Sequence, residues 1–167
     1  MKKCIILQIN YLILICLFIP CVAIAQPICQ IQRFSAYNGL AQRSVTNILQ
    51  DSKGFIWFST WNGLNKFDGY TFKNYKAFPG DGCTLTSNRL AKITQTQTCD
   101  IWCQTYDLRI YLFDSRREKF IDILRPYENE KQQTYAVQNV YTLPKGVSWI
   151  VCDRGAFRID EQAYKAQ

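Results

Sequence analysis

Histidine is missing altogether from the 167 residues. Its absence takes away the side chain most often used as a general base near neutral pH, and the commonest nitrogen ligand for metals. No Gly-x-Ser-x-Gly elbow and no phosphate-cradling glycine loop occurs either, so the usual scaffolds for acyl transfer and nucleotide chemistry are lacking. Beyond residue 25 the chain shows no segment of helical period and no apolar run of bilayer length. The sequence therefore assigns no catalytic residue, no metal ligand and no cofactor.

What is present begins with a leader. Lys2 and Lys3 make a positive start, Cys4 to Ile19 form an apolar run, and Ala23-Ile24-Ala25 is a small-residue cleavage site before Gln26. Cleavage is favoured over an uncleaved anchor, because Gln8, Asn10 and Pro20 weaken a membrane-spanning reading. Either way the body lies outside the cytoplasm, periplasmic or secreted, and meets a membrane only through a retained leader. Lys2 and Lys3 contribute two units to the formal net charge of +7. The remaining basic residues are scattered apart from Arg116, Arg117 and Lys119, a trio expected in a solvated hairpin, so nucleic acid is not an expected partner.

Of eight cysteines, Cys29, Cys83, Cys99, Cys103 and Cys152 lie beyond the leader. They follow no framework spacing, and Cys103 and Cys152 fall in expected core strands, where cysteine behaves as a small apolar residue. Cys99 and Cys103 have no second pair at ligand spacing, so thiols are expected there rather than half a metal site.

The most informative feature is an internal repeat. Trp57, Trp102 and Trp149 stand 45 and 47 residues apart, each preceded at nine positions by Ile48, Ile93 or Val140 and at twelve by Val45, Leu90 or Val137. Each is followed by a hydrophobic residue and Asp: Phe67-Asp68, Phe113-Asp114, Ile159-Asp160. A period of roughly 40 to 50 residues built of short strands marks β-propeller blades, which bury their faces only against stacked neighbours. In the first copy Ser44 to Gln50, Phe55 to Thr60, Leu64 to Phe67 and Tyr70 to Tyr75 read as four strands, separated by Asp51-Ser52-Lys53-Gly54, Asn62-Gly63 and Asp68-Gly69. The second copy lacks a glycine at its Asp107-Leu108 turn, and the third reaches Asp160 with no outermost strand.

The expected fold class is thus all-β, an incomplete propeller of about three four-stranded antiparallel blades after an N-terminal signal helix. Its parts are a signal peptide (1–25), an orphan outer strand and linker (26–43), and three blades at 44–78, 79–125 and 126–167, the last partial. Arg33-Phe34-Ser35-Ala36-Tyr37 matches the aromatic spacing of an outer strand and is a candidate to pair with the third blade.

Ile56-Trp57-Phe58-Ser59-Thr60, then Asn62-Gly63-Leu64-Asn65-Lys66-Phe67-Asp68-Gly69, with Asp51-Ser52-Lys53-Gly54 upstream, resembles the two-component regulator propeller repeat. Phe34-Ser35-Ala36-Tyr37-Asn38-Gly39-Leu40 and Ser44-Val45-Thr46-Asn47-Ile48 resemble the start of the periplasmic sensor region of Bacteroides-type hybrid two-component regulators. The resemblance spans about residues 33 to 160, strongest in the first copy and weakest in the second. It implies a truncated sensor whose intact relatives have two propellers, a membrane helix and a histidine kinase, and bind oligosaccharides. Without histidine this chain cannot carry the phospho-accepting residue.

The leading functional expectation is a non-catalytic sensory or ligand-binding module, with an oligosaccharide as partner. Sugar sites set aromatic faces against the apolar side of a pyranose and satisfy its hydroxyls with amides, carboxylates and arginine. Trp61, Asn62, Tyr106, Asp107 and Arg154, at the second-to-third strand turns, are the candidate ligand-binding residues. Trp57, Trp102 and Trp149 are read as blade-core packing because they recur, and Asp68, Asp114 and Asp160 as turn acceptors rather than catalytic carboxylates. A polysaccharide-active enzyme fragment, or a structural module pairing with other propeller chains, are the alternatives. Uncovered faces and edges also predict self-association or pairing with other blades.

Overall fold

The computed structural model describes residue 11 and residues 29–78, 85–128 and 134–165. The chain divides into two compact units, Met1–Gln32 and Arg33–Gln167. The expected signal helix and its cleavage site lie outside the described residues, except for Tyr11, which is helical. Cys83 also lies outside them. Among the described residues no helix is long and apolar enough to cross a membrane.

In the second unit short runs of alternating side chains, each stopped by a polar turn, form eleven strands among the described residues. The first sheet contains β1 (Val45–Gln50), β2 (Ile56–Thr60), β3 (Gly63–Phe67) and β4 (Phe72–Tyr75), in that order and antiparallel throughout. The second repeats the plan with β5 (Leu90–Gln95), β6 (Ile101–Thr105), β7 (Ile110–Asp114) and β8 (Lys119–Asp122). The third has β9 (Val137–Leu143), β10 (Val147–Cys152) and β11 (Gly155–Asp160), followed by a short helix α1 (Glu161–Lys165). The sheets meet along their first strands, β1 beside β5 and β5 beside β9. This all-β stack of antiparallel sheets is the blade arrangement of a propeller.

Turn chemistry recurs with the strands. Asp51 Oδ1 accepts the backbone N–H of Lys53 and of Phe55, both at 2.9 Å, and so closes the β1–β2 turn. Asp68, Asp114 and Asp160 each accept the N–H groups two and three residues on, as Asx turns do. At Asp160 the same pattern starts α1 instead of a fourth strand. The inner strand of every sheet also carries an irregularity at the same place, leaving Thr46, Ala91 and Gln138 unpaired in register.

Alternation assigns the two faces of each sheet to different neighbours. Ile101 and Cys103 of β6 join Trp57, Leu64 and Tyr75 in the core between the first two sheets, whereas Trp102 joins Val137, Val140 and Ile150 in the next. Burying one such large side chain stabilises by about 1.5–3 kcal/mol, so the two inter-sheet cores supply most of the cohesion. Polar groups reinforce them. Trp102 Nε1 donates to Ser148 Oγ (2.9 Å), which donates to the buried Glu161 carboxylate (2.5 Å), which also accepts Gln97 N–H (2.8 Å).

Two expectations are corrected. Residues 33–37 form no strand. Ala36–Asn38 is a 3-10 turn, and Phe34 packs edge-on against Phe67 and Phe72 of the first sheet at 4.9 and 5.7 Å, covering the face turned away from the second sheet. Aromatic spacing alone could not separate a paired strand from a cap. Trp149 keeps the register of Trp57 and Trp102, yet it is 36% exposed where they are 2% and 1%, because among the described residues no further sheet covers its face. The glycine-free second copy turns through a three-residue loop, Tyr106 to Leu108, with Leu108 at φ 60 in the left-handed region that Gly63 (φ 100) and Gly155 (φ 139) occupy in the other copies.

Candidate functional site

The second-to-third strand turns stand at the end of the sheets where the inner strands begin. The same backbone bond anchors each one: Trp61 N–H to Ser44 O, Tyr106 N–H to Arg89 O, and Asp153 N–H to Ala136 O. In the first two blades this framework brings aromatic side chains together. The Trp61 and Tyr106 rings meet edge to face at 6.1 Å and 86°, and they are 44% and 53% exposed. The Arg89 guanidinium lies 5.4 Å from the Trp61 ring centre, a cation–π contact. Asp107, on the same turn as Tyr106, accepts from Thr86 Oγ1 at 3.1 Å, and Thr86 Oγ1 is 2.8 Å from the Tyr111 hydroxyl.

The five candidates from the sequence thus separate. Trp61, Tyr106 and Asp107 share this corner. Asn62 is half-buried, and its amide donates to Ala41 O at 3.3 Å, tying the chain ahead of β1 to the turn. Arg154 lies on the third blade and pairs with Asp153 beside it at 3.6 Å.

Arg89 was not singled out by residue type. Its signal was positional, since it fills the place held by Ser44 and Ala136 in the other copies, immediately before the inner strand and bonded to the turn. Arg109 was missed as well. Its guanidinium bonds Asp122 at 2.7 Å and Glu128, joining the end of β8 to the chain that leads on to the third sheet. Burial acts to lower its pKa, but the hydrogen bonds it donates to Glu128 and Asp122 outweigh that and raise it above the ordinary arginine value.

The other reactive groups are placed structurally. Cys29, Cys99, Cys103 and Cys152 are free thiols. Burial pushes the Cys103 thiol well above its usual range, and burial with nearby Asp153 raises that of Cys152, which makes both poor nucleophiles. Among the described residues no group of His, Cys, Asp and Glu could hold a metal ion.

Stacked antiparallel sheets with an exposed aromatic corner define a propeller-type module with a candidate recognition surface. Residues 39–62 match the model of the two component regulator propeller family, so this stretch carries that repeat. The chain is similar to the extracellular domain of BT3049 from B. thetaiotaomicron, described as a hybrid two component system, with 25% identity and a TM-score of 0.63 over 79% of this chain and 19% of that one. The extracellular domain of BT4673 from the same organism shares the fold, with 22% identity and a TM-score of 0.58 over 83% of this chain and 20% of that one. Over 53 residues the chain is 47% identical to Histidine kinase P4 from Formosa agariphila, covering 32% of this chain and 4% of the kinase. It therefore spans a small share of each relative.

Proposed function

We propose that this chain is a non-catalytic, extracytoplasmic sensory propeller portion, and that the Trp61–Tyr106 corner is where it meets an oligosaccharide. The observation that carries the reading is the likeness to an extracellular domain of a hybrid two component system across 79% of the chain. The corner supports it chemically. Two exposed aromatic rings at right angles offer a stacking face and a side wall to a pyranose, with Asp107 and the guanidinium of Arg89 in reach of its hydroxyls. Export through the leader belongs to the same reading, with Gln26 at the mature N-terminus.

Titration calorimetry of the full chain against a panel of oligosaccharides tests this. Binding that is lost in both Trp61→Ala and Tyr106→Ala, with unfolding unchanged, is the expected result. Binding untouched by either substitution would move the site elsewhere, and hydrolysis of any panel member would replace the sensory reading with an enzymatic one.

A second reading, pairing with another propeller blade, is favoured by the apolar face of the third sheet, where Trp149, Tyr141 (53% exposed) and Leu143 (43% exposed) stand open. Sedimentation over a concentration series measures it. A compact monomer at every concentration argues against self-association.

A further inference from the structure

Among the described residues three arginines have carboxylate partners. Arg109 is held by Asp122 and Glu128, Arg117 lies 3.9 Å from Asp114, and Arg154 lies 3.6 Å from Asp153. Arg89 differs: it is exposed, its guanidinium rests 5.4 Å from the Trp61 ring, and no ion pair holds it among the described residues. A cation–π contact orients a guanidinium without consuming its N–H donors, which leaves the fork that matches a planar oxyanion free. Asp107, on the turn that carries Tyr106, accepts instead from Thr86 Oγ1 at 3.1 Å, and Thr86 is in turn bonded to Tyr111.

From this arrangement we infer that the corner selects sugars bearing an oxyanion, a ring carboxylate or a sulfate ester, and that Arg89 is the residue that reads it. The inference rests on the glycan-binding reading of the corner and adds the charge of the ligand. The division of labour follows from the geometry. Arg89 occupies the Trp61 ring, so the 53% exposed Tyr106 ring is the stacking surface, and Trp61 serves as the platform that aims Arg89 beside it. The backbone bond from Tyr106 N–H to Arg89 O, 3.0 Å, sets the stacking ring and the anion-reading residue side by side at the adjoining ends of neighbouring strands.

The test is calorimetry of the full chain at low salt with three tetrasaccharides: tetragalacturonate, a sulfated galactan tetrasaccharide and cellotetraose. One or both anionic probes should bind about tenfold more tightly than cellotetraose, since a charge-assisted hydrogen bond exceeds a neutral one by roughly that factor. The arm that responds identifies carboxylate or sulfate as the group read. Arg89→Gln should abolish the preference while leaving the unfolding midpoint in place, and added salt should weaken the anionic probes selectively. Binding of cellotetraose as tightly as the anionic probes, or a preference that survives Arg89→Gln, overturns the inference and leaves the glycan reading standing. No binding of any of the three overturns both.

Discussion

Trp102 and Trp149 occupy the same register position on consecutive sheets and meet opposite fates. Trp102 is 1% exposed, packs among Val137, Val140 and Ile150, and donates its indole N–H to Ser148 of the next sheet. Trp149 is 36% exposed, and among the described residues its ring has no aromatic or hydrogen-bond partner. Trp57 sits with Trp102: it is buried against Phe113 of the following sheet, although its N–H goes to Asp51 of its own blade at 2.8 Å. The recurring indole is therefore a docking position, buried by the sheet that follows and not by its own. The opposite end of the stack is treated differently, since Phe34 caps the outer face of the first sheet. Terminal repeats of stacked architectures need such covers, and Phe34 supplies one at the first sheet.

The sharpest way to break this contrast is to truncate the two rings. Trp102→Ala should destabilise by about 3–5 kcal/mol, as large-to-small core changes do, and Trp149→Ala by less than about 1 kcal/mol, as at exposed sites. Urea unfolding of both variants decides it, and equal losses would mean that Trp149 is covered in solution.

Next in size is a pair of hairpin glycines from the same two ends. A Cβ on Gly63 would stand 2.3 Å from the Tyr75 carbonyl, whereas one on Gly155 meets nothing within 4 Å. Both have positive φ, so Gly155→Ala should cost about 1 kcal/mol from backbone strain alone, and Gly63→Ala several times that, read as the difference in thermal midpoint. A smaller, opposite effect is expected in the middle blade. Leu108→Gly should stabilise by about 0.5–1 kcal/mol, because Leu108 is held in the left-handed region at φ 60.

The smallest effect lies at the rim between the covered sheets. Glu118 accepts from Lys73 Nζ at 2.7 and 2.6 Å and from the Tyr75 hydroxyl at 2.9 Å. The Lys73 and Tyr75 bonds hold its carboxyl below the usual range, while burial and then Glu118 push the Tyr75 hydroxyl up. With the folded pKa depressed, the stabilisation is present above the unfolded carboxylate pKa and is lost as pH falls through the folded value. Because the pair is exposed, the loss should stay below about 1 kcal/mol and shrink with salt. Comparing Glu118→Gln with wild type across pH 3 to 7 checks both the sign and the size, with pH values of about this range set by the ordinary carboxylate pKa.

Much of this was legible in the residues. Trp spacing, the Asp that ends each third strand and the turn signals mark the repeat, because strand alternation and Asx turns depend on side chains a few positions apart. The Asp68, Asp114 and Asp160 carboxylates accept backbone N–H groups as turn residues should. Phe34 was readable as an aromatic that packs, but not as a cap, since its partners Phe67 and Phe72 lie more than thirty positions away. For the candidate site, residue type selected Trp61, Tyr106 and Asp107, but it also selected Arg154, which stands on another blade, and passed over Arg89.

By itself the sequence determined an all-β chain of stacked repeats, the places of its turns and which side chains share a face, since these follow from a two-residue alternation and local turn chemistry. Only the tertiary structure decided that one recurring indole is open while two are closed, that Phe34 covers a face instead of extending a sheet, and that Arg89 lies against Trp61. Those outcomes depend on what stands across a face or beside a turn from a distant part of the chain, and no local pattern carries that distance.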